Sequence, residues 1–233
     1  MLKDTLLNLS QNSRFRDFVL QNKVARSASR RFVAGEMLEE AVNATRVLNQ
    51  QSMQVALDML GENVQNEQDA RETAQNYINA IELIPRAQLE ANISIKLTAL
   101  GLDIDHELCE ESLHRILEQG KQHNVFVCVD MEGSDYTERT VEMVKRARQS
   151  YELVGTVIQS YLYRSQADVE LLTDLGLRIR LVKGAYQEPQ SIAYQQKADV
   201  DQNYVQLMKI LLARGNFPAI ASHDEAIIDA ACA

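Results

Sequence analysis

The strongest constraint on the fold is an alternation of apolar, strand-like runs with amphipathic helical stretches. Six runs predict strands, at residues 53–60, 93–100, 125–131, 154–161, 178–185 and 219–223. Helical periodicity fills the intervals near residues 66–83, 105–121, 135–149, 166–175 and 199–214, and another helix begins at 225. Repeated strand–helix units connect through right-handed crossovers, which predicts one sheet of parallel strands.

The absence of nucleotide-binding motifs favours a barrel over an open nucleotide-binding sheet. No Gly-x-Gly-x-x-Gly and no Gly-x-x-x-x-Gly-Lys sequence follows any of the six runs. We therefore predict an α/β fold of the (β/α)8 TIM-barrel type. A closed barrel has eight strands and about 250 residues, so we expect this chain to be a truncated piece holding only the first six βα units. Residues 1–50 are predicted to form an N-terminal helical segment and residues 51–233 the partial barrel.

The composition argues against several kinds of partner and site. A formal charge of −9 disfavours nucleic acid as a main partner, because phosphate binding needs clustered Lys and Arg. The three cysteines have no paired spacing, and no His and carboxylate cluster indicates a metal site. Nothing resembles a signal peptide or an apolar span of about 18 residues, so we expect a soluble, cytoplasmic protein.

Polar side chains collect at the ends of the predicted strands. Alternate residues of a strand point to one face, which places Ser94, Lys96 and Thr98 together. The later runs end in further polar groups: Asp130, Glu132, Gln159, Tyr161, Arg180, Lys183, Tyr186, Ser222, His223 and Asp224. Barrel enzymes carry their active sites at the carboxyl ends of the strands, so the sequence predicts a ligand site there.

The most informative stretch is residues 180–186. The run 179–182 is typical of a parallel strand covered on both faces, yet Arg180 interrupts it and Lys183 follows its end. Buried cations need an anion or a fixed acceptor. Here the partner is either a carboxylate in a structural ion pair or an anionic ligand, such as a phosphate or a reduced flavin. Gln159 suits the edge of a pyrimidine, and Asp130 facing Lys96 would form a buried pair with perturbed pKa values.

Several of these segments closely resemble the proline dehydrogenase family in its bacterial single-function form. The resemblance is carried by Ile95-Lys96-Leu97, Asp130-Met131-Glu132, Gln159-Ser160-Tyr161-Leu162-Tyr163-Arg164, Arg180-Leu181-Val182-Lys183-Gly184-Ala185-Tyr186 and Ser222-His223-Asp224. Residues 31–36 are similar to the family's entry to the barrel. The resemblance runs from about residue 25 to the end, and residues 180–186 are its most specific part. Ser222 replaces the family's usual Thr and keeps the hydroxyl.

The resemblance implies a flavoenzyme that oxidises L-proline to Δ1-pyrroline-5-carboxylate and passes electrons through FAD to a membrane quinone. It implies catalytic roles for Asp130 and Arg180, and contact of Lys96 and Tyr186 with the substrate. It implies that FAD is held by Met131, Gln159, Arg180, Val182, Lys183, Gly184, Ala185, Ser222 and His223. Quinone reduction would add a peripheral contact with the inner face of the membrane.

The family's last helix, which carries paired arginines for the proline carboxylate, has no counterpart in this sequence. We therefore expect weak or no proline turnover from these 233 residues. Two alternatives stay open. One is a non-catalytic flavin binder, and the other is a Schiff-base barrel enzyme with Lys96 or Lys183 as nucleophile and Asp130 or Tyr186 as proton shuttle.

Overall fold

The computed structural model describes residues 33–35, 37–61 and 64–233. Most of the predicted helical segment 1–50 lies outside these residues, as do Arg31, Phe32 and Glu36 of the segment 31–36. The described chain divides into one unit that ends at Gln54 and a second unit, Val55–Ala233. In the first unit, helix α1 covers Leu38–Asn49.

The second unit alternates six strands with six helices. The strands are β1 (Val55–Asp58), β2 (Ala91–Ile95), β3 (Val127–Val129), β4 (Val154–Gln159), β5 (Arg178–Val182) and β6 (Ala219–Ile220). They are followed in turn by α2 (Glu67–Arg86), α3 (His106–His123), α4 (Ser134–Arg148), α5 (Ser165–Asp174), α6 (Lys197–Arg214) and α7 (Glu225–Cys232). The strands pair in sequence order, every pair is parallel, and the predicted α/β alternation is confirmed.

A hydrogen bond across the sheet shows that the sheet is strongly curled. Arg180 on β5 donates from Nη1 to the hydroxyl of Ser94 on β2 at 3.2 Å, although β3 and β4 lie between them. Strands are spaced about 4.8 Å apart, so β2 and β5 of a flat sheet would be about 14 Å apart, beyond the reach of one arginine. The six strands therefore form a half-barrel of the TIM type, with a concave inner face.

The core lies between the outer face of the sheet and the helices. Ile93 and Ile95 on β2, and Ile179 and Leu181 on β5, are at most 1% exposed. Tyr204 on α6 is fully buried and donates from its hydroxyl to the carbonyl of Leu181 at 2.9 Å. Burying one such apolar side chain contributes about 1.5–3 kcal/mol, so this layer fixes the curvature on which the inner face depends.

Strand β5 is buried on its outer face alone, whereas the sequence predicted cover on both faces. Arg178, Arg180 and Val182 alternate with the buried residues and are only half-buried. Their side chains line the concave face, which is where a guanidinium can keep partial contact with water.

Strand β2 is shorter than predicted. It ends at Ile95, and Thr98–Leu100 form a turn of 3-10 helix instead of continuing the strand to residue 100. The carboxylate of Glu132 accepts the backbone N–H of Thr98 at 3.2 Å and also binds the Thr98 hydroxyl, which holds the turn. The predicted strand is therefore wrong beyond residue 95, and Thr98 does not share a face with Ser94 and Lys96.

Gly155 on β4 offers a test of the packing between strands. A Cβ at this position would lie 2.4 Å from the carbonyl oxygen of Arg178 and 2.6 Å from the ring of Phe126. Gly155→Ala should therefore lower the free energy of unfolding by about 1–3 kcal/mol, because the ladder or the ring must shift. Urea unfolding followed by circular dichroism measures the change. Gly133→Ala is the control, because its Cβ would meet Glu188 only at 3.8 Å; equal stability of the two variants would contradict the packing described.

Candidate functional site

One cleft collects the polar groups at the carboxyl ends of the strands. Its volume is about 800 Å³. All twelve residues that the family resemblance assigned to the site line it: Lys96, Asp130, Met131, Gln159, Arg180, Val182, Lys183, Gly184, Ala185, Tyr186, Ser222 and His223. The structure brings these residues together, and their roles in binding and catalysis stay predictions. Val157, Ala221 and Asp224 complete the lining.

An alternating chain of charges runs along one side of the cleft. The Nζ atom of Lys96 lies 2.8 and 3.0 Å from the two carboxylate oxygens of Asp58, and 3.4 Å from Oδ2 of Asp130. Arg180 donates from Nη2 to Oδ1 of Asp130 and from Nη1 to Ser94. Each cation thus has a carboxylate partner. Sequence reasoning missed Asp58, although its place at the end of β1 was a usable signal.

Burial and neighbouring charges shift the pKa values of Asp130 and Lys96. Desolvation raises the pKa of the Asp130 carboxyl, although Arg180 and Lys96 act against the rise. Burial alone would lower the pKa of Lys96, but the hydrogen bonds and charges of Asp58 and Asp130 outweigh it and raise that pKa above its usual value. Lys96 is therefore held as an ammonium ion at neutral pH.

Lys183 belongs to a second set of ion pairs, the Lys183 cluster, which consists of Lys183, Lys197, Asp201 and Asp224. The Nζ atom of Lys183 lies 2.6 Å from Asp201 and 2.8 Å from Asp224. Lys197, in the first turn of α6, pairs with the same two carboxylates. The sequence indicated Lys183 as a site residue but did not indicate its partners. Helical spacing shows that Lys197 and Asp201 share a face of α6, but it does not show which strand that face contacts.

Gln159 presents an unsatisfied acceptor beside the cleft. Its side chain is 3% exposed, and its Nε2 donates to the carbonyls of Met131 at 3.0 Å and Glu132 at 3.3 Å. These two bonds fix the orientation of the amide. Its Oε1 atom is buried and has no hydrogen-bond partner in the described part of the chain, so a donor from a ligand would complete the group.

The loop after β5 is fixed by its contacts with neighbouring elements. Gly184 has φ of +111°, and a Cβ there would lie 2.3 Å from the ring of Tyr161, so glycine is required. Glu188 accepts the backbone N–H of Ser134 at 2.8 Å and also binds its hydroxyl, at the N-terminus of α4. A carboxylate is favourable at this end of a helix. These contacts place Ala185 and Tyr186 at the rim of the cleft, a role of Glu188 that the sequence did not reveal.

Ser222 shows why the replacement of threonine is tolerated. Its Oγ accepts the backbone N–H of Asp224 at 3.0 Å, which shapes the turn into α7. Serine and threonine share this hydroxyl, and the additional methyl group of threonine takes no part in the bond. The replacement therefore keeps the hydrogen bond that orients Asp224.

Several other candidates play no part in the cleft. Arg164 pairs with Asp168 and Glu138, each at 2.7 Å, and does not line it. Burial raises the pKa of the Cys109 and Cys128 thiols to about 12, which leaves them poor nucleophiles at neutral pH. Within residues 33–35, 37–61 and 64–233, no group of His, Cys, Asp and Glu side chains is placed to hold a metal ion. No helix in the same ranges has the length and apolar character needed to cross a membrane.

Comparison with known proteins identifies related sequences and structures. Residues 41–233 match the family model described as proline dehydrogenase. The chain is 39% identical to Proline dehydrogenase 1 of Bacillus subtilis (strain 168) over 228 residues, which is 98% of this chain and 75% of that protein. It is 41% identical over 204 residues to the proline dehydrogenase of Deinococcus radiodurans, 85% of this chain and 66% of that one. The crystal structure of proline utilization A (PutA) from Bdellovibrio bacteriovorus, inactivated by N-propargylglycine, superposes with a TM-score of 0.82 at 26% identity, covering 89% of this chain and 27% of that one.

The Lys183 cluster predicts how stability depends on pH. Hydrogen bonds from Lys183 and Lys197 lower the pKa of Asp224. Desolvation acts to raise the pKa of Asp201, but hydrogen bonds from the same two lysines outweigh it and lower that pKa. Each carboxylate therefore contributes stability above its unfolded pKa near 3.8, and this contribution is lost as pH falls. Lys183→Met should weaken the acid-induced loss of unfolding free energy, as measured by urea unfolding from about pH 7 to about pH 3. Lys209→Met, at an exposed position of α6, is the control. If the unfolding free energy of Lys183→Met fell as steeply with decreasing pH as that of the parent, the assignment would be contradicted.

Proposed function

The chain belongs to the proline dehydrogenase family, and on that premise we propose that it is an FAD-dependent enzyme that oxidises L-proline. The product would be Δ1-pyrroline-5-carboxylate, and the electrons would pass through FAD to a quinone during peripheral contact with the membrane. The observation that carries the proposal is the position of all twelve family-assigned residues around one cleft. Residues from five strand ends meet there, which packing alone does not require.

The cleft fits a flavin in chemistry and in size. The buried Oε1 atom of Gln159 has no donor, and the N–H of a flavin pyrimidine is a group that would satisfy it. Arg180 and Lys183 supply positive charge for an anionic ring or a phosphate. A volume of about 800 Å³ falls within the range of about 300–1,000 Å³ usual for ligand sites. Met131, Val182, Gly184, Ala185, Ser222 and His223 would complete the cofactor contacts.

Bound FAD would supply the two-electron acceptor for oxidation of the C–N bond of proline. The guanidinium of Arg180 is fixed by Asp130 and Ser94 and supplies positive charge where electron density would arrive. Lys96 remains protonated and offers a cation to the carboxylate of the substrate. Tyr186, 40% exposed at the rim, is placed to form a wall of the substrate pocket.

The raised pKa of Lys96 and the ion pairs of Lys183 argue against a Schiff-base enzyme. A lysine nucleophile must lose its proton, which enzymes achieve by lowering its pKa. The pKa of Lys96 is raised instead, and Lys183 is paired with two carboxylates. Borohydride treatment with a carbonyl substrate should therefore label neither lysine.

Anaerobic reduction by L-proline tests the function directly. The purified chain is loaded with FAD, and its visible absorption is followed after proline is added without oxygen. We expect the flavin bands to bleach and one equivalent of a cyclic imine to form, detected as its adduct with o-aminobenzaldehyde. A single-turnover measurement is used because it needs no quinone. Flavin bands that persist would favour the non-catalytic flavin binder, and failure to bind FAD would contradict the cofactor assignment.

Arg180→Met tests the charge that the cofactor is proposed to meet. Removing one fixed donor at a site of developing charge costs about 100-fold in rate, so flavin reduction by proline should slow by about that factor. Stopped-flow absorbance gives the rate, and quenching of flavin fluorescence gives FAD affinity separately.

Arg178→Met is the matched control for this variant. Arg178 lies two residues earlier on β5, and its guanidinium carbon is 5.0 Å from the ring centres of Phe126 and Phe217. It does not line the cleft, so we expect near-normal reduction. Equal losses in the two variants would contradict a specific role for Arg180.

A further inference from the structure

Asp58 belongs to the row of charged side chains formed with Lys96, Asp130 and Arg180, but the family resemblance assigned it no role. It is the last residue of β1, and its side chain is 37% exposed. Both of its carboxylate oxygens lie within 3.0 Å of the Lys96 ammonium, whereas Asp130 is at 3.4 Å. The ammonium is thus held closer to Asp58 than to the carboxylate in the cleft.

Asp58 limits where the Lys96 ammonium can lie. Lysine ends a flexible stem with several rotatable bonds, so its position depends on the partners that hold it. Of the two carboxylates paired with Lys96 in the described part of the protein, Asp130 remains when Asp58 is removed. A charge-assisted bond to it would shorten from 3.4 Å to about 2.8 Å. Asp130 would then be bound closely by two cations at once.

The charged and titratable groups around Asp130 come from several elements. Arg180 faces it from β5, Lys96 from the end of β2 and Asp58 from the end of β1. Two buried groups, Tyr77 on α2 and Cys128 on β3, also interact electrostatically with Asp130. Desolvation raises the pKa of both, that of Cys128 to about 12, so both stay neutral while Asp130 titrates. Glu132 follows in the same segment and is bound to Thr98.

We propose that Asp58 is a positioning residue, which holds the Lys96 ammonium back from Asp130 and leaves Asp130 paired mainly with Arg180. The cleft then presents two separate cations, one on either side of Asp130. The importance of this arrangement for catalysis rests on the proposed function. The arrangement itself is a property of the ligand-free protein and can be tested without flavin or proline.

Titration of the Asp130 carboxyl in the flavin-free chain tests the proposal. Carbon-13 NMR of aspartate-labelled protein follows the carboxyl signal, which is assigned by its loss in Asp130→Asn. Asp58→Asn should shift the Asp130 titration to lower pH, because Lys96 closes on Asp130 and one neighbouring negative charge disappears. Asp174→Asn is the control, because Asp174 pairs with Arg214 at 2.9 Å on the exposed surface, and it should leave the titration unchanged.

A double-mutant cycle separates positioning from direct repulsion between the two carboxylates. If Asp58 acts through Lys96, the shift caused by Asp58→Asn should be smaller in a Lys96→Met background. Shifts of equal size in the two backgrounds would overturn the proposal, as would an unchanged Asp130 titration in a folded Asp58→Asn protein. The experiment contains no flavin, so failure of proline oxidation would leave its result intact.

A second comparison covers the case in which Asp58→Asn does not fold. According to the proposal, Asp130 pairs mainly with Arg180. Arg180→Met should therefore raise the midpoint pH of the Asp130 titration more than Lys96→Met does. Circular dichroism confirms that each variant is folded. A larger rise in Lys96→Met would show that the lysine is already the main partner of Asp130, and the proposal would be wrong.

Discussion

The reach of Arg180 across the concave face is the interaction on which the site depends. Its side chain is only 26% exposed, and its guanidinium needs fixed partners. These come from β2 and from the residue after β3 rather than from the adjacent strand β4. Those partners are within reach only because the sheet curls. The curl in turn is held by the apolar outer layer that includes Ile179 and Leu181. Packing on one side of β5 therefore sets the electrostatics on the other side.

The two sets of ion pairs differ in how firmly they hold their cations. Lys96 is 11% exposed and Asp130 16%, so their interaction is poorly screened by water and fixes position. Lys197 is 72% exposed, so its ion pairs are well screened by water. Lys183, at 27%, lies between these cases. The pair of Lys96 with Asp130 is thus less screened by water than the pairs of the Lys183 cluster.

The sequence predicted the strands and the strand-end residues because both follow from local periodicity. Lys96, Asp130 and Arg180 fall at the carboxyl ends of parallel strands, and such ends meet at one edge of a sheet. The predicted pair of Lys96 with Asp130 is confirmed, but other contacts between distant segments were not predictable in this way. The turn at Thr98 depends on Glu132, which is 34 residues further along the chain. The role of Asp58 depends on the register that pairs it with Ser94, and periodicity does not contain register.

The most specific chemical feature of the cleft is a hydrogen bond that the fold itself does not make. Gln159 uses both amide hydrogens on backbone carbonyls, which leaves its buried Oε1 as an acceptor without a donor in the described chain. An unsatisfied buried acceptor costs about 1–3 kcal/mol, and a water molecule or a ligand with an N–H or O–H at that point would remove the cost. A phosphodiester or pyrophosphate linkage offers acceptors alone and would not remove it, whereas the imide N–H of a flavin would. Positive charge from Arg180 and Lys183 attracts many anions, so the choice among them depends on this amide.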